Sequence, residues 1–315
     1  MKPKILLTGK NGQLGYDLEQ ILPGLGEVIA TDREQCDLSR PADIRKLIRD
    51  VHPDLIVNAA AYTAVDQAEG NEALARAINS EAPAVMAEEA KKIGAALVHY
   101  STDYVFDGAK NSPYAENDSP NPVSAYGRTK LAGEQAVRDS GADHLIFRTE
   151  WVYSTRGKNF LLTILRLATQ REELRIVRDQ VGAPTWSREI AGATRKALQQ
   201  ICNRTDQTAA WSEQGGTYHM TAAGEATWYE FTQAILQEAA LSSNSAAWFQ
   251  AATNGKDLLT RRVVPITTAE YPAPARRPAY SVLLNSKLDR VFGIQLPDWR
   301  EQLHKAFSVN PLGTA

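Results

Sequence analysis

Gly9-Lys10-Asn11-Gly12-Gln13-Leu14-Gly15 decides the fold, because of what stands on either side of it. Before it, Lys4-Ile5-Leu6-Leu7-Thr8 is apolar without alternation, the pattern of a strand buried on both faces of a parallel sheet. After it, Tyr16 to Leu22 has helical spacing. Strand, glycine turn and helix form the context in which a glycine motif carries information. Gly9 can make the tight turn and Gly12 lets backbone N–H groups approach a pyrophosphate. Gly15 lets the helix pack close to the strand, and the helix N-terminus attracts the phosphates. The spacing is G-x-x-G-x-x-G rather than the G-x-G-x-x-G of the standard dinucleotide fold. A glycine-rich turn in some other α/β protein is the plain alternative, and the flanking elements weigh against it.

Working outward, Glu27-Val28-Ile29-Ala30-Thr31 reads as the second strand, ending at Asp32. That carboxylate lies near the ~20 residues expected between the glycines and the acid that takes a ribose hydroxyl. Asp32 favours NAD(H), since a 2′-phosphate would meet a like charge; Arg33 pulls the other way, since a guanidinium can pair with that phosphate. Asp37-Leu38 lies where a loop could reach the adenine, although an aspartate N-cap or turn accounts for it equally well. The third strand, Asp54 to Asn58, runs into Ala59-Ala60-Ala61-Tyr62-Thr63, whose small residues let a flat ligand lie against the backbone. A long helix is expected from about residue 71 to residue 93, broken or kinked near Pro83. Ala96 to Ser101 is the fourth strand, and Thr102 sits just beyond its end, where ligands bind in doubly wound sheets. Pro113, Pro120 and Pro122 mark an ordered loop of turns. Ser124 can cap a helix through Tyr126, Lys130 and Ala136, and Leu145 to Thr149 is a fifth strand. Such alternation predicts an α/β fold built on a doubly wound, Rossmann-like parallel sheet.

Beyond residue 155 the rhythm loosens. Helices are expected over 160–170, 187–202, 228–239, 285–291 and 298–306, with short strands at 174–177 and 218–221. Residues 203–216 are polar and read as a surface excursion. The expected division is a dinucleotide-binding domain over 1–155 and a smaller C-terminal lobe, mainly substrate-binding, over 156–315, with some segments returning to the main sheet.

Composition narrows the function by exclusion. A formal net charge of −2 over 315 residues leaves no basic footprint for nucleic acid. No stretch approaches the ~18 apolar residues of a membrane span, and the N-terminal apolar run is too short for a signal peptide. Cys36 and Cys202 are too few and too far apart for a disulfide framework, which fits a reducing cytoplasm. The histidines are scattered without paired ligand spacing, so no metal site is expected from them.

Tyr126 and Lys130 stand at i and i+4, on one face of a helix. Hydride transfer to a ketone leaves negative charge on the carbonyl oxygen, which needs a proton. A phenol of ordinary pKa ~10, made more acidic by a nearby ammonium, can deliver it. Lys130 would supply that ammonium and could hold a nicotinamide ribose. Thr102 could hydrogen-bond the same oxygen as an oxyanion donor does. The pair alone is common on amphipathic helices. Its weight comes from the order in the chain: glycine turn, hydroxyl after the fourth strand, then the pair on the next helix.

This order resembles the extended short-chain dehydrogenase/reductase superfamily. Within it, Asn58 to Asp66, Tyr100 to Gly108, Tyr126 to Glu134, Arg148 to Tyr153, Asp179 to Thr185 and Arg276-Arg277-Pro278 resemble the dTDP-4-dehydrorhamnose reductase family over nearly the whole chain. The resemblance implies reduction of the C4 ketone of dTDP-4-dehydro-β-L-rhamnose to dTDP-L-rhamnose, the last step of dTDP-rhamnose synthesis. It implies NADPH as cofactor, with NADH left open. By position, Gly9, Gly12, Gln13, Leu14 and Gly15 would serve the pyrophosphate, and Asp32, Arg33, Asp37 and Leu38 the adenosine. Ala61, Tyr62 and Thr63 would line the cofactor's path. Val65, Thr102, Asp103 and Trp151 would meet the sugar nucleotide, with Arg276 or Arg277 on its phosphates. Tyr126 would donate the proton and Lys130 assist. A homodimer is a family-level expectation. The family also raises magnesium, for which carboxylate spacing supplies no ligand set.

Two other readings compete. A sugar-nucleotide epimerase or dehydratase of the same superfamily shares Thr, Tyr and Lys but recycles its cofactor. A dehydratase commonly adds an acidic pair after the fourth strand, and here Tyr104 follows Asp103. A non-catalytic regulatory subunit, resembling that of methionine adenosyltransferase, would keep the nucleotide fold as a binding module.

Overall fold

Six parallel strands make the central sheet of a computed structural model that describes residues 2–241 and 246–308. Five come from the first half: β1 (Lys4–Thr8), β2 (Glu27–Thr31), β3 (Leu55–Asn58), β4 (Ala96–Thr102) and β5 (His144–Thr149). Their order across the sheet is β2-β1-β3-β4-β5, and a sixth strand, Gly216–His219, pairs with the free edge of β5. The short strand read at 218–221 thus extends the main sheet rather than building the smaller lobe.

The lack of alternation in β1 has a direct cause. Ile5 and Leu7 are buried in one core and Leu6 in another, on the opposite face. The first core is closed by α1 (Gln13–Ile21) together with a helix from the second half, Ser187–Cys202. The second lies under α2 (Pro41–Val51) and the long helical segment after β3. That segment runs as α3 (Val65–Gly70), α4 (Glu72–Arg76), a π-helical turn over Ala77–Glu81, and α5 (Ala82–Ile93). The interruption expected near Pro83 is the π turn, which ends two residues before it. Pro83 has no N–H to give to that turn, so the regular i to i−4 ladder is interrupted there. After the proline-rich loop comes α6 (Ala125–Asp139), the helix of Tyr126 and Lys130.

The smaller lobe has its own core, in which Tyr153, Leu161, Phe231 and Trp299 are fully buried. It gathers α7 (Phe160–Ala168), a parallel strand pair Glu173–Val177 with Arg262–Ile266, and two later helices, Trp228–Leu241 and Trp299–Ser308. The 203–216 segment is not simply a surface excursion. It contains a helix, Gln207–Gln214, whose Ala210 is fully buried in the core of the main sheet. Among the described residues no helix is long and apolar enough to cross a membrane.

β2 and β3 lie on opposite sides of β1, so the chain reverses direction across the sheet there. A crevice must open at the carboxyl ends of β1 and β3, the place where open α/β sheets bind ligands.

Candidate active site

A cavity of about 890 Å³ fills that crevice and continues along the carboxyl edge to β5. At one end it is bordered by Gly9, Gly12, Gln13 and Leu14, by Asp32 and Arg33, and by Asp37 and Leu38. Ala61, Tyr62 and Thr63 lie along its middle, and Val65, Thr102, Asp103, Tyr126, Lys130 and Trp151 close the other end. Three residues expected at the site do not border it: Gly15, Arg276 and Arg277. Gly15 is where α1 presses on the turn, since a Cβ there would lie 2.0 Å from the Gly9 carbonyl oxygen. Arg277 is paired with Asp66 at 2.8 Å, and Arg276 is exposed.

The glycine-turn end is built for an anion. Gly9 has φ +81°, and its turn lies so close to the loop after β3 that a Cβ would meet Ala60 Cα at 2.9 Å. α1 starts at Gly12 with no side-chain cap, so the N–H groups of its first turn keep their hydrogen-bonding capacity for a ligand. These features fit a dinucleotide pyrophosphate. Asp32 accepts from Asn11 Nδ2 at 3.2 Å and from the backbone N–H groups of Glu34 and Gln35, with Lys10 Nζ 3.5 Å away. Partial desolvation works against its charge, but the Gln35 N–H and the Lys10 ammonium outweigh it and hold the carboxyl below its usual range. Asp37 accepts from the Ser39 N–H and hydroxyl, so the plain turn role is realised at a position that also borders the cavity.

The other end is organised by α6. Ser124 caps it, accepting from the Gly127 N–H at 3.1 Å. At Gly127 the helix touches the 3-10 turn Asp103–Val105, where a Cβ would meet the Tyr104 carbonyl oxygen at 2.2 Å. Further along, Glu134 and Arg148 form a buried two-point ion pair at 2.8 and 2.7 Å that ties α6 to β5. These contacts set Tyr126 beside Thr102. Burial pushes the Tyr126 phenol up, the Thr102 side chain lowers it and the Asp103 charge raises it, leaving it clearly above its ordinary value.

Lys130 is engaged by β4. Its side chain is buried, and Nζ donates to the Tyr100 carbonyl at 2.6 Å and faces His99 Nε2 at 3.3 Å. Burial pulls it down to about 8, against an opposing pull from Glu134. Thr102 is engaged as well. Its hydroxyl donates to Asp103 Oδ1 at 2.9 Å and accepts the Tyr104 N–H at 3.2 Å, so its proton is already engaged.

A model of the family described as "RmlD substrate binding domain" matches residues 2–310. A dTDP-4-dehydrorhamnose reductase of Burkholderia thailandensis is 51% identical over 94% of this chain and 95% of its own length. This chain belongs to the dTDP-4-dehydrorhamnose reductase family. The Escherichia coli K12 reductase is 41% identical, over 94% of each chain. A Bacillus anthracis dTDP-4-dehydrorhamnose reductase, solved in complex with NADP, superposes with a TM-score of 0.84 at 32% identity, covering 98% of this chain and 99% of that one. A UDP-glucose 4-epimerase of Thermus thermophilus, solved with NAD, shares the fold at 18% identity and a TM-score of 0.74, covering 99% of this chain and 100% of that one.

Three further residues of this family member come to the site without having been singled out. Glu150 is the first residue beyond β5, as Asp103 is the first beyond β4, and the strand residues before them, Thr149 and Thr102, are register partners. Glu150 is buried at the cavity, accepting from Leu283 N–H at 3.3 Å and Ser281 Oγ at 3.2 Å. The second acid missing from the chain after Asp103 is thus supplied by the neighbouring strand. Burial pushes Asp103 up to about 6, and its Oδ2 has no hydrogen-bond partner among the described residues. Burial and the Asp103 charge push Glu150 well above the carboxylate range. Each of these buried carboxyls disfavours a charge on the other. The position beyond a strand end was the available signal for Glu150. Trp228 stacks on Trp151, centroids 3.5 Å apart, and helps hold Trp151 at its unusual φ of +44°. Asn79, on the π turn, accepts the Tyr62 N–H at 2.8 Å and donates to the Tyr62 carbonyl and Thr129 Oγ1. Neither had a signal in local spacing. Among the described residues no three His, Cys, Asp or Glu side chains gather as a metal site, so no step is assigned to magnesium.

Proposed function

We propose that the protein reduces the C4 ketone of dTDP-4-dehydro-β-L-rhamnose to dTDP-L-rhamnose, using NADPH, as the last step of dTDP-rhamnose synthesis. The observation that carries this reading is the convergence of Thr102, Tyr126 and Lys130 at one end of a cavity whose other end is the glycine turn. Family membership gives the substrate.

The reduced nicotinamide, when bound, supplies the hydride that goes to C4. Tyr126 gives its phenolic proton to the C4 oxygen, so ketone becomes alcohol. A phenol with a raised pKa is fully loaded with that proton at neutral pH. Thr102, braced by Asp103 and the Tyr104 N–H, fixes where the oxygen sits. Lys130 turns its remaining N–H toward the cavity for the ribose. Trp151, backed by Trp228, packs on the sugar nucleotide. Arg276 or Arg277 takes its phosphates, which for Arg277 means leaving Asp66.

NADPH is favoured here over NADH because Lys10 offsets the charge of Asp32 and Arg33 borders the same end of the cavity. The same reading assigns the dinucleotide mainly to residues 1–155 and the sugar nucleotide mainly to 156–315. It also includes a cytoplasmic homodimer, which sedimentation equilibrium would check. The decisive experiment is a spectrophotometric assay with dTDP-4-dehydrorhamnose, comparing NADPH with NADH. Stoichiometric cofactor oxidation with formation of dTDP-rhamnose is expected. A new dTDP-sugar formed without net oxidation would move the protein to the epimerases, and absence of any turnover would favour a binding module.

A further inference from the structure

A row of buried polar side chains crosses the sheet beneath the site and ends on Lys130. Thr8, Asn58 and His99 are register partners on β1, β3 and β4, and all three are buried. Thr8 Oγ1 donates to Asn58 Oδ1 at 2.8 Å, and the Ala60 backbone N–H donates to the same oxygen at 3.3 Å. A backbone N–H can only donate, so the Asn58 amide has one orientation: Oδ1 toward Thr8 and Ala60, Nδ2 toward His99. Asn58 Nδ2 lies 3.2 Å from His99 Nδ1. That ring nitrogen must accept. A fully buried imidazole is neutral here, because burial disfavours the cation. With Nδ1 accepting, its one proton is on Nε2.

His99 Nε2 faces Lys130 Nζ at 3.3 Å. An ammonium has only donors, and Nε2–H is a donor, so the two would present hydrogens to each other. A neutral amine resolves the contact. Its lone pair accepts from Nε2–H, one N–H goes to the Tyr100 carbonyl at 2.6 Å, and one N–H is left for the cavity. We propose that Asn58 locks the His99 tautomer with Nε2–H directed at Lys130, and that this pair of positioning residues weakens the hold of Lys130 on its proton.

The other ionisable groups around Lys130 do not reverse this. Glu134, on the same helix, favours the charged form, but its oxygens are occupied by Arg148 from β5 and by Arg138. Tyr126, on the same face, is held protonated, and the Asp103 carboxylate in the turn after β4 has its Oδ1 taken by Thr102. Burial lowers the lysine in the same direction as the donor conflict, to about 8. The assignment uses the reductase reading only for its catalytic consequence, because the tautomer is observable without turnover.

The test is nitrogen NMR on the full-length protein labelled at histidine and lysine side chains, with His99 identified by the signal missing from His99→Gln. A His99 ring protonated at Nε2, and a Lys130 side chain that is neutral above about pH 8, are expected. A ring protonated at Nδ1, or a lysine titrating at its ordinary value above about 10, would overturn the proposal. Asn58→Asp adds a functional arm. Its carboxylate can still accept from Thr8 and Ala60 but now also accepts from His99 Nδ1–H, turning Nε2 into an acceptor for an ammonium. The titration of Lys130, and with it any alkaline limb of kcat, should move up by about one unit or more. A folded Asn58→Asp protein in which the lysine titrates as in the unaltered protein would also overturn it. Lost turnover with the expected tautomer and lysine titration would instead count against the reductase reading alone.

Discussion

Thr102 and Asp103 are joined by a hydrogen bond of 2.9 Å in which the threonine is the donor. Thr102 has one proton and two claimants for it: the Asp103 carboxylate, and an oxygen at Tyr126 or on the substrate. While Asp103 is charged the first claim wins, and protonating Asp103 weakens it. The chemistry at Tyr126 is therefore coupled to a carboxyl buried behind it.

Asp103 should leave a signature in stability. Its carboxyl is raised from 3.8 to about 6, so the folded state favours the protonated form. That contribution is fully present below about pH 4 and is lost as pH rises through about 6. Asp103→Asn removes the loss. Its melting temperature should exceed that of the unaltered protein at about pH 8, with the difference shrinking toward about pH 4. Thermal unfolding across that range decides it; an offset independent of pH would contradict the burial argument.

Tyr126→Phe should lower kcat by roughly two orders of magnitude or more while the cofactor still binds. Single-turnover kinetics together with a cofactor titration separate the two effects. Near-full kcat in this variant would remove Tyr126 from the role of proton donor.

Much of the α/β framework was legible because it rests on local signals. β1, the glycine turn and α1 follow from an apolar run, three glycines and a helical period, and both faces of β1 are indeed covered. The position just beyond a strand end points to Thr102, and the family resemblance adds Asp103. The same rule applied to β5 points to Glu150, which chain order beside Asp103 does not reveal because register pairing brings it from the next strand. The sixth strand was visible as a strand, yet its partner, β5, lies far back in the chain, and local patterning carries no such pairing. The i, i+4 spacing placed Lys130 on the face of Tyr126. It could not show that Tyr100 and His99 would engage the amine first.

The Glu134–Arg148 pair should matter to stability more than the ion pairs on the surface. Both side chains are at most 3% exposed, so Glu134→Ala strands a buried guanidinium at a cost of about 3–5 kcal/mol. Replacing both partners with apolar residues, Glu134→Leu with Arg148→Met, should recover most of that loss. Urea unfolding of the single and double variants tests this; a double variant as unstable as the single one would mean the pair is not the cause.

Lys10→Ala should shift cofactor preference toward NADH. Without the ammonium, the Asp32 carboxylate meets a 2′-phosphate with less compensation. A loss of about tenfold in kcat/KM for NADPH, with NADH changed little, is expected from steady-state assays. Equal losses for both cofactors would assign Lys10 a structural role.

The π turn at Ala77–Glu81 makes this segment intolerant of idealisation. It carries one residue more than an α-helical turn needs, and that surplus aims Asn79 at both Tyr62 and Thr129. Deleting one residue from it would give a more regular helix but would remove the wide turn that aims Asn79. Asn79 would lose either the loop after β3 or the helix that carries Tyr126 and Lys130. An engineered version of this scaffold with a better helix here would be a worse clamp between the cofactor loop and the helix of the proton donor.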